Sequence, residues 1–353
     1  MQTHLVPTRN EMLAAFLARD AAYDGVFVTA VRTTGIFCRP TCPARRPRPE
    51  NVDFYVTSRD ALAAGFRPCR RCRPMEPAGV TPEWLAPLLE AVDAEPERRW
   101  TESDLRERGL DPDRVRRWFQ KEHGMSFHAY GRARRLGLAL GRIQHGSEVT
   151  DAAFDTGYSS LSGFNEAFRK LLGEAPKAAS GRRLVTLTRV LTPLGPMLAG
   201  ATEEALCLLE YTDRRMLETQ LKRLRRALDC AFVPGANSVL DRFARELDAY
   251  FAGSLKRFET PLDTPGSEFQ QSVWRELLRI PYGKTTSYLD VARAIGRPSA
   301  VRAVASANGD NRIAIVIPCH RVIGSDGKLT GYGGGLWRKQ RLLDLEGGQV
   351  RFD

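Results

Sequence analysis

The chain has 353 residues, more than one ordinary hydrophobic core organises, so two or more domains are expected. Lys and Arg outnumber Asp and Glu by 53 to 42, and the net charge of +11 permits nucleic acid or an anionic membrane as a partner without identifying either. No apolar stretch approaches the length of a membrane span, and the first residues lack the apolar core of a signal peptide, so a cytosolic protein is expected. In a reducing cytosol the seven cysteines are thiols, metal ligands or nucleophiles rather than disulfides.

Four of these cysteines lie near the N-terminus in two close pairs, Cys38 with Cys42 and Cys69 with Cys72, and 26 residues separate the pairs. Zinc takes four tetrahedral ligands, so this spacing predicts a zinc site, the alternative being four unrelated thiols. Residues 32–73 hold ten arginines and only three acidic residues. Such a charge predicts contacts with phosphate, and a solvated basic face is the alternative.

The stretches AVRTTGIFCRPTC and NVDFYVTSRDALAAGFRPCRRC resemble the N-terminal domain of the Ada family of adaptive-response alkylation repair proteins. The resemblance implies that Cys38 takes a methyl group from a DNA methylphosphotriester. It also implies that one zinc ion, structural and activating, is held by Cys38, Cys42, Cys69 and Cys72. DNA contacts in this module are expected from Thr34, Arg45 and Arg67.

Residues 74–84 have the proline and glycine content of a linker, and short amphipathic helices are predicted from there to about Pro176. Within them, VTDAAFDTGYSSLSGFNEAFRKLLGEAP has the layout of a helix-turn-helix with its turn at Gly157. The side chains expected to face the core are Val149, Ala152, Ala153, Phe164 and Phe168. Arg169 and Lys170 are then free for phosphate. The stretch resembles the second of the paired helix-turn-helix motifs of AraC-type regulators, and a plain helical bundle is the alternative.

The preceding LRERGLDPDRVRRWFQKEHGMSFHAYGRARRL resembles the first of these paired motifs, with two departures. The segment before Gly109 is one residue short, and Arg106 occupies a position where a small residue is usual. These departures indicate that the first motif reads bases poorly or packs differently.

The next part of the chain is predicted to begin with strands. The stretch KAASGRR, residues 177–183, has the composition of a second linker. LVTLTRVLTPLGPMLAGATEEALCLLEY alternates as strands with a short hairpin do, and helices are expected from Asp213 to about Gly253. Cys207 and Cys230 have no neighbouring base or paired ligand, so both are predicted to be packing thiols. From PGSEFQQSVWRELLRI onward the pattern is helical again.

In the stretch AIVIPCHRVIG, Cys319 and His320 are neighbours directly after an apolar run. They could be a buried thiol and a surface imidazole that never interact, two metal ligands, or a nucleophile with its base. Because neighbouring side chains usually point apart, His320 is expected to act through a bridging water or after a turn rather than by direct contact.

The wider frame, N-x7-C-H-R-V-I followed by GYGGGLWRKQRLLDLEGG, resembles the O6-alkylguanine-DNA alkyltransferase family. The resemblance implies that Glu346 orients His320, which takes the proton of Cys319 through water and leaves a thiolate that attacks. Asn311 would support the turn that holds the thiol. Contacts with DNA or the rotated-out nucleotide are implied for Tyr288, Arg302, Arg321, Tyr332 and Gly333. A serine often stands where this chain has Gly333, whose backbone can approach the base but which offers no hydroxyl.

The stretch TTSYLDVARAIGRPSAVRAVASAN is predicted to form a helix, a tight turn at Gly296 and a second, alanine-rich helix. Small side chains let a helix lie close against a groove, and Arg302 is placed to fill the gap that an extruded nucleotide leaves. The alternative is a core helix with a surface arginine.

Together these resemblances imply a multidomain α/β protein with four parts. They are a small zinc-bound α/β module (1–76), an all-α double helix-turn-helix domain (83–180), a ribonuclease-H-like α/β lobe (184–262) and a helical, winged-helix-like alkyltransferase lobe (263–353). The implied partners are alkylated and promoter double-stranded DNA and RNA polymerase. We expect no membrane partner, a monomer, and a cytoplasmic location associated with the nucleoid.

The implied function is irreversible DNA repair coupled to transcription. Methyl groups pass from O6-methylguanine and O4-methylthymine to Cys319 and from methylphosphotriesters to Cys38, and methylated Cys38 activates alkylation-response genes. A thioether has no good leaving group, so each cysteine acts once. Two rivals remain open at this point: a zinc-containing DNA-binding regulator without methyl transfer, and a thiol hydrolase that uses Cys319 and His320.

Overall fold

The computed structural model describes residues 7–20, 23–75, 81–172 and 175–350, called the described residues below. The segment 76–80, part of the linker predicted over 74–84, lies outside them, as do residues 1–6 and 351–353 at the ends of the predicted domains. Among the described residues, no helix combines the length and the apolar character needed to cross a bilayer.

The N-terminal module is a four-stranded sheet with two short helices. Its elements are α1 (Arg9–Ala18), β1 (Val28–Val31), β2 (Ile36–Cys38), β3 (Val52–Tyr55), α2 (Ser58–Ala63) and β4 (Arg67–Pro68). The strand order is β3-β1-β2-β4, with β1 antiparallel to both neighbours and β2 parallel to β4. The Cys69 amide donates to the Phe37 carbonyl (2.9 Å), so the β2–β4 pairing brings Cys69 beside Cys38.

The helical domain holds two helix-turn-helix units joined by one long helix. Its elements are α3 (Ala86–Ala94), α4 (Glu102–Glu107), α5 (Pro112–His123), α6 (Phe127–Gln144), α7 (Val149–Asp155), α8 (Leu161–Leu172) and α9 (Pro176–Ala179). The turn of the second unit requires glycine, because Gly157 has a φ of +77° and a Cβ there would lie 2.8 Å from the Glu97 carbonyl oxygen. As predicted, Ala152, Ala153, Phe164 and Phe168 are buried in one core and Val149 packs against it.

The first unit keeps the helix-turn-helix layout despite its departures. Helix α4 has only six residues and Gly109 follows it at a φ of +72°. Arg106 is exposed and pairs with Glu102 one turn earlier, so its length disturbs no packing.

A mixed sheet with two helices follows. Its elements are β5 (Arg183–Thr192), β6 (Gly195–Ala201), β7 (Leu206–Tyr211), α10 (Leu217–Leu228), β8 (Cys230–Pro234) and α11 (Ser238–Phe251). The order is β7-β6-β5-β8, with the predicted hairpin between β5 and β6 and with β8 parallel to β5. The two helices lie within the stretch from Asp213 to about Gly253 where helices were expected, but the expectation missed strand β8 between them. Asp229 takes a left-handed φ of 43° that ends α10, and the short apolar run after it completes the sheet edge.

The last lobe is mainly helical. Its elements are α12 (Glu268–Leu277), β9 (Thr286–Ser287), α13 (Tyr288–Ala294), α14 (Val301–Gly309), β10 (Val322–Ile323) and α15 (Leu336–Glu346). This lobe and the mixed sheet share one core, in which Leu209, Tyr211 and Phe243 pack with Val273 and Ile313. The Leu209 amide donates to the Arg312 carbonyl (2.8 Å) and the Ala314 amide to the Leu209 carbonyl (2.9 Å). The segment that leads to Cys319 is thus fastened to β7.

The second predicted linker, 177–183, is structured rather than free. It holds the end of α9 and the first residue of β5, and Ala179 is fully buried in the core of the helical domain. Ala231 of β8 lies in that same core, so the helical domain packs directly on the edge of the mixed sheet.

Candidate metal centre and candidate active site

Four sulfur atoms converge at one end of the N-terminal module. The Sγ atoms of Cys38, Cys42, Cys69 and Cys72 all lie within 4.8 Å of one another. Tetrahedral Zn–S bonds of about 2.3 Å place sulfurs about 3.8 Å apart, so this set fits one zinc ion. Cys42 is buried, whereas Cys38, Cys69 and Cys72 are partly exposed. Cys38 is thus both a member of the cluster and reachable from solvent.

Hydrogen bonds make Cys72 the most acidic thiol for which the cluster shows a shifted pKa. A hydrogen bond from Cys38 lowers the pKa of the Cys72 thiol to about 5, and the same bond, together with burial, raises the pKa of Cys38. The Arg39 amide also donates to Cys72 Sγ at 3.3 Å, and its guanidinium bonds the Cys72 carbonyl at 2.9 Å. These donors stabilise the thiolate of Cys72, and thiolate is the form in which cysteine binds metal.

The predicted DNA contacts of this module are accessible. Thr34, Arg45 and Arg67 are all exposed, and Arg67 lies on β4, two residues before the ligand Cys69. A negatively charged backbone can therefore approach the side of the module that carries the sulfurs.

Cys319 lies at the start of a 3-10 turn and is 5% exposed. The chain reaches it through two tight turns: the Val316 amide bonds the Ala314 carbonyl (2.8 Å) and the Cys319 amide bonds the Ile317 carbonyl (2.7 Å). Ile315, the middle residue of the first turn, has a φ of 70°. This value is unusual for a β-branched residue and indicates backbone strain at this site.

Asn311 holds this turn and touches the sulfur. Its side-chain amide donates to Cys319 Sγ (3.1 Å) and to the Ile317 carbonyl (2.9 Å), and its side-chain oxygen accepts from the Ile313 amide (3.0 Å). Burial raises the pKa of the Cys319 thiol, and the hydrogen bond from Asn311 lowers it. The thiol therefore needs a base to become a strong nucleophile.

The base next to it is held by a buried carboxylate. His320 Nε2 lies 2.8 Å from Glu346 Oε1, and both side chains are inaccessible to solvent. A carboxylate accepts, so the proton resides on Nε2 and leaves Nδ1, which has no hydrogen-bond partner among the described residues, as the acceptor. Burial lowers the pKa of His320, which keeps the imidazole neutral and able to take a proton.

Cys319 opens onto a cavity of 420 Å³ between α14 and the glycine-rich segment before α15. This is the volume range of small-molecule sites. Four of the predicted contact residues line it: Tyr288, Arg302, Tyr332 and Gly333. Arg302 is exposed at the start of α14, and the Tyr288 hydroxyl donates to the Thr330 carbonyl (3.3 Å).

The prediction that Arg321 contacts DNA is wrong. Its side chain is buried and forms two hydrogen bonds to Glu346 (2.8 and 2.9 Å) and one to the Ile280 carbonyl (2.6 Å). Adjacency to His320 gave no information on direction, since the 3-10 turn carries Arg321 into the interior. Its role here is to fix Glu346.

Tyr250 and Lys339 are residues of this site that the sequence did not predict. The Tyr250 hydroxyl donates to Glu346 Oε1 (2.8 Å) from helix α11, and no local pattern could have indicated a contact across 96 positions. Lys339 is buried and donates to the Val322 carbonyl (2.5 Å) and the Thr330 carbonyl (2.6 Å), tying the cavity wall to α15. The sequence offered one signal for Lys339, its position four residues after the glycine-rich stretch GYGGG.

Arg169 and Lys170 lie exposed at the C-terminal end of α8, the second helix of the second helix-turn-helix unit. They belong to a different part of the chain from the Cys319 cavity. The structure therefore offers separate basic surfaces on the N-terminal module and on the helical domain.

Four consecutive segments match described families. Residues 11–75 match the metal binding domain of Ada, and residues 106–182 match a helix-turn-helix domain. Residues 188–264 and 268–348 match the ribonuclease-like domain and the DNA binding domain of 6-O-methylguanine DNA methyltransferase. With the sulfur cluster, these matches confirm the predicted fold class and one zinc in the N-terminal module.

Whole-chain relatives give the same order of parts. The chain is 40% identical over 352 residues to the bifunctional transcriptional activator/DNA repair enzyme Ada of Escherichia coli, covering 96% of each protein. It is 37% identical to the regulatory protein ada of Salmonella typhimurium, covering 93% of this chain and 94% of that one. Over 44% of this chain it is 49% identical to 88% of the methylated-DNA--protein-cysteine methyltransferase of Mycobacterium tuberculosis. Likeness over nearly the full length, with the four matched segments in order, shows that the chain belongs to the Ada family.

Proposed function

We propose that this chain repairs methylated DNA at two of its cysteines and couples one repair to transcription. O6-methylguanine and O4-methylthymine give their methyl group to Cys319, and methylphosphotriesters give theirs to Cys38. The observation that carries the proposal is Cys319 itself: a thiol hydrogen-bonded to Asn311, next to a His320–Glu346 pair, at the wall of a cavity that can hold a nucleobase.

The transfer to Cys319 balances as one displacement. The thiol proton passes, through water, to His320 Nδ1; the sulfur then bonds the methyl carbon as the bond from that carbon to guanine O6 breaks. The guanine anion takes up a proton and leaves as ordinary guanine. No group in the site can displace a thioether, so the reaction runs once per Cys319.

The cavity walls supply the remaining roles. Arg302, exposed at the start of a helix with small side chains, fills the gap in the duplex when the nucleotide rotates out. Tyr288 and Tyr332 contact the rotated-out base, and Gly333 lets the backbone approach it.

Transfer to Cys38 uses the basic face of the N-terminal module. A zinc ion held by Cys38, Cys42, Cys69 and Cys72 would keep the thiols deprotonated. Thr34, Arg45 and Arg67 hold the neighbouring phosphates. The partly exposed Cys38 sulfur then takes the methyl group and releases a phosphodiester.

Methylation of Cys38 turns one thiolate into a neutral thioether, so four sulfurs that hold zinc would pass from a formal charge of −2 to −1. At an effective dielectric constant near 20, one charge acting on a phosphate about 8 Å away is worth roughly 2 kcal/mol before salt screening. Binding of the full chain to promoter DNA tightens accordingly, and the gain shrinks as salt rises. Arg169 adds a phosphate contact from the helical domain. The partner recruited to the promoter is RNA polymerase. The protein acts as a monomer at the nucleoid.

The four working units are residues 1–76, 83–180, 184–262 and 263–353, and the two acceptors lie on different units. Cys319→Ala is therefore expected to abolish removal of O6-methylguanine and to leave methylphosphotriester repair intact, while Cys38→Ala does the reverse. Stoichiometric repair assays with each lesion in duplex DNA measure this. If Cys319→Ala still cleared O6-methylguanine, the assignment of the acceptor would be wrong.

The same assay separates the two rival functions. A thiol hydrolase that uses Cys319 and His320 would turn over more than once per chain. A DNA-binding regulator without methyl transfer would leave both lesions in place.

A further inference from the structure

A buried ion pair lies behind Cys319, on the mixed-sheet side of the site. Glu210, near the end of β7, is 1% exposed, and the Arg214 side chain, in the turn that follows, is 8% exposed. The Arg214 guanidinium pairs with Glu210 and donates to the Asn311 carbonyl (3.1 Å) and the Gly309 carbonyl (2.6 Å). Arg214 thus binds the last residue of α14, Gly309, and also Asn311, which follows two residues later.

The Arg214 guanidinium also lies against Gly333. A Cβ on Gly333 would lie 2.7 Å from Arg214 Cζ and 2.8 Å from its Nε. A Cβ on the neighbouring Gly334 would likewise lie 2.6 Å from the Tyr211 ring. The space that a side chain at position 333 would take is therefore occupied by the guanidinium.

The ion pair and the nucleophile face the same small cavity. Glu210, Arg214 and Cys319 line one small cavity of 10 Å³, together with Asn311 and Tyr332. Glu210 Oε2 and the Tyr332 hydroxyl are buried there without a hydrogen-bond partner among the described residues. In such a low-dielectric space, charges act strongly on one another.

We propose that Arg214 is a positioning residue for alkyl transfer to Cys319, and that Glu210 sets how strongly the Arg214 charge stabilises the Cys319 thiolate. The inference rests on the proposed role of Cys319. Arg214 acts through the Asn311 segment that holds the sulfur and through its charge, and it touches neither substrate nor the transferred group.

The groups around Cys319 determine whether the pKa of its thiol rises or falls. Burial raises the pKa of Cys319, whereas the positive charge of Arg214 lowers it and the negative charge of Glu210 raises it. Burial raises the pKa of Glu210 to about 7, against the lowering effects of Arg214 and Arg312. The other charged or titratable groups that act on or respond to the Cys319 sulfur are Lys339, Tyr211, Tyr288 and Tyr332. As Glu210 takes up a proton near neutral pH, the Arg214 charge loses its counter-charge and favours the thiolate more.

The test uses the full chain and single-turnover transfer from duplex DNA that carries O6-methylguanine, followed from pH 5.5 to 8.5 over a range of DNA concentrations. Arg214→Met is expected to lower the saturated rate about tenfold, because loss of a nearby opposite charge raises a pKa by about one unit or more. The DNA concentration at half the maximal rate stays unchanged. Arg215→Met, an exposed neighbour of the same charge, is the control and keeps the wild-type profile.

Glu210→Gln should change the rate of methyl transfer in the opposite direction to Arg214→Met. It is expected to raise the rate several-fold at pH 8, where wild-type Glu210 is ionised, and to match wild type at pH 5.5, where it is protonated. Arg214→Lys, which keeps the charge but not the fork of hydrogen bonds, is expected to fall between wild type and Arg214→Met. If Arg214→Met destabilises the fold, these two variants still decide the matter.

Three results would overturn the proposal: equal profiles for Arg214→Met and Arg215→Met, a loss confined to DNA affinity, or a Glu210→Gln change in the same direction as Arg214→Met at pH 8. Failure of the underlying function would look different. In that case the wild-type chain would acquire no methyl group on Cys319 at any pH.

Discussion

Glu346 is the residue on which the organisation of the Cys319 site depends most. Its two oxygens accept hydrogen bonds from the Tyr250 hydroxyl, His320, the Gly283 amide and both Nε and NH2 of Arg321. Burial alone would raise the pKa of Glu346, but His320 and Arg321 lower it, so the carboxylate is ionised at neutral pH. One acid thus fixes the tautomer of the base and neutralises a buried arginine.

Glu346→Gln is therefore expected to impair both chemistry and stability. The amide no longer balances Arg321, which costs about 3 kcal/mol of folding free energy for a broken buried pair. It also no longer favours the Nε2–H tautomer, so the rate of methyl transfer should fall about 100-fold. Single-turnover kinetics and thermal unfolding measure the two effects.

Tyr250→Phe is the matched control for that substitution. It removes one neutral donor to the same oxygen and is expected to cost about 1 kcal/mol, with little loss of rate. A Glu346→Gln variant as fast as Tyr250→Phe would contradict the assigned role of the carboxylate.

At this scale the sequence predicted the chemistry better than the directions of side chains. The resemblance to the alkyltransferase family implied that Cys319, His320, Asn311 and Glu346 form one site, and the structure brings all four together. Arg321 was misassigned because a side chain's direction depends on the backbone turn. Arg214, and with it its partner Glu210, was missed because the contact of Arg214 with the Asn311 carbonyl spans 97 positions.

At the scale of single elements, helix α5 carries a histidine that should make the helical domain sensitive to acid. His123 packs against Phe119, Trp118 and Tyr130, and burial, with Arg189, lowers its pKa to about 4. Below pH 6.5 the unfolded chain gains a proton that the folded chain refuses until about pH 4. The stability that His123 contributes is thus complete above pH 6.5 and is lost as the pH falls from 6.5 to 4.

His123→Gln should remove much of this loss. Amide-exchange protection of α5 and α6, corrected for intrinsic rates, is expected to fall less between pH 7.5 and pH 5 than in wild type. The exposed His128 gives the control, since His128→Gln should keep the wild-type pH dependence. Equal pH dependence in the two variants would contradict this account.

In the N-terminal module, the short strands β2 and β4 pair next to the four sulfurs. Because the strands are short, we expect zinc to supply much of the folding free energy of the module. Cys69→Ser is expected to abolish tight zinc binding and to make residues 23–75 sensitive to protease, while methyl transfer to Cys319 continues. Full zinc content with unchanged protease resistance would contradict ligation by four thiolates.

Long, strongly patterned elements could be predicted from the sequence, and short ones could not. The helix-turn-helix of α7 and α8 and the β5–β6 hairpin follow from apolar spacing and turn residues. Strand β8 has five residues and owes its state to pairing with β5, a contact that no local pattern contains. Helix α9 is likewise defined by the core into which Ala179 packs.

At the scale of the whole molecule, the helical domain is docked on the alkyltransferase part rather than tethered to it. A Cβ on Gly137 of α6 would lie 2.8 Å from Val233 Cβ on β8. Arg189 of β5 pairs with Glu122 of α5, and both side chains are largely buried. The amino acid sequence shows none of this, because composition between the domains resembles that of a linker.

Gly137→Val should loosen this docking. The added atoms overpack the interface, at a cost of about 1–3 kcal/mol, so α6 must move away from β8. An increased radius of gyration in solution scattering and faster proteolysis between the domains are expected. Gly141→Val, one turn along the same helix with no atom within 4 Å of the added Cβ, should behave as wild type. Identical scattering from the two variants would mean that the domains do not stay docked in solution.

Peptide mass mapping of one sample shows whether the chain holds two independent methyl acceptors. The full chain with zinc is incubated with duplex DNA that carries both O6-methylguanine and a methylphosphotriester. We expect two methyl groups per chain, one on Cys319 and one on Cys38, and no further transfer when more DNA is added. A methyl group on any other cysteine, or product in excess of two per chain, would contradict this assignment.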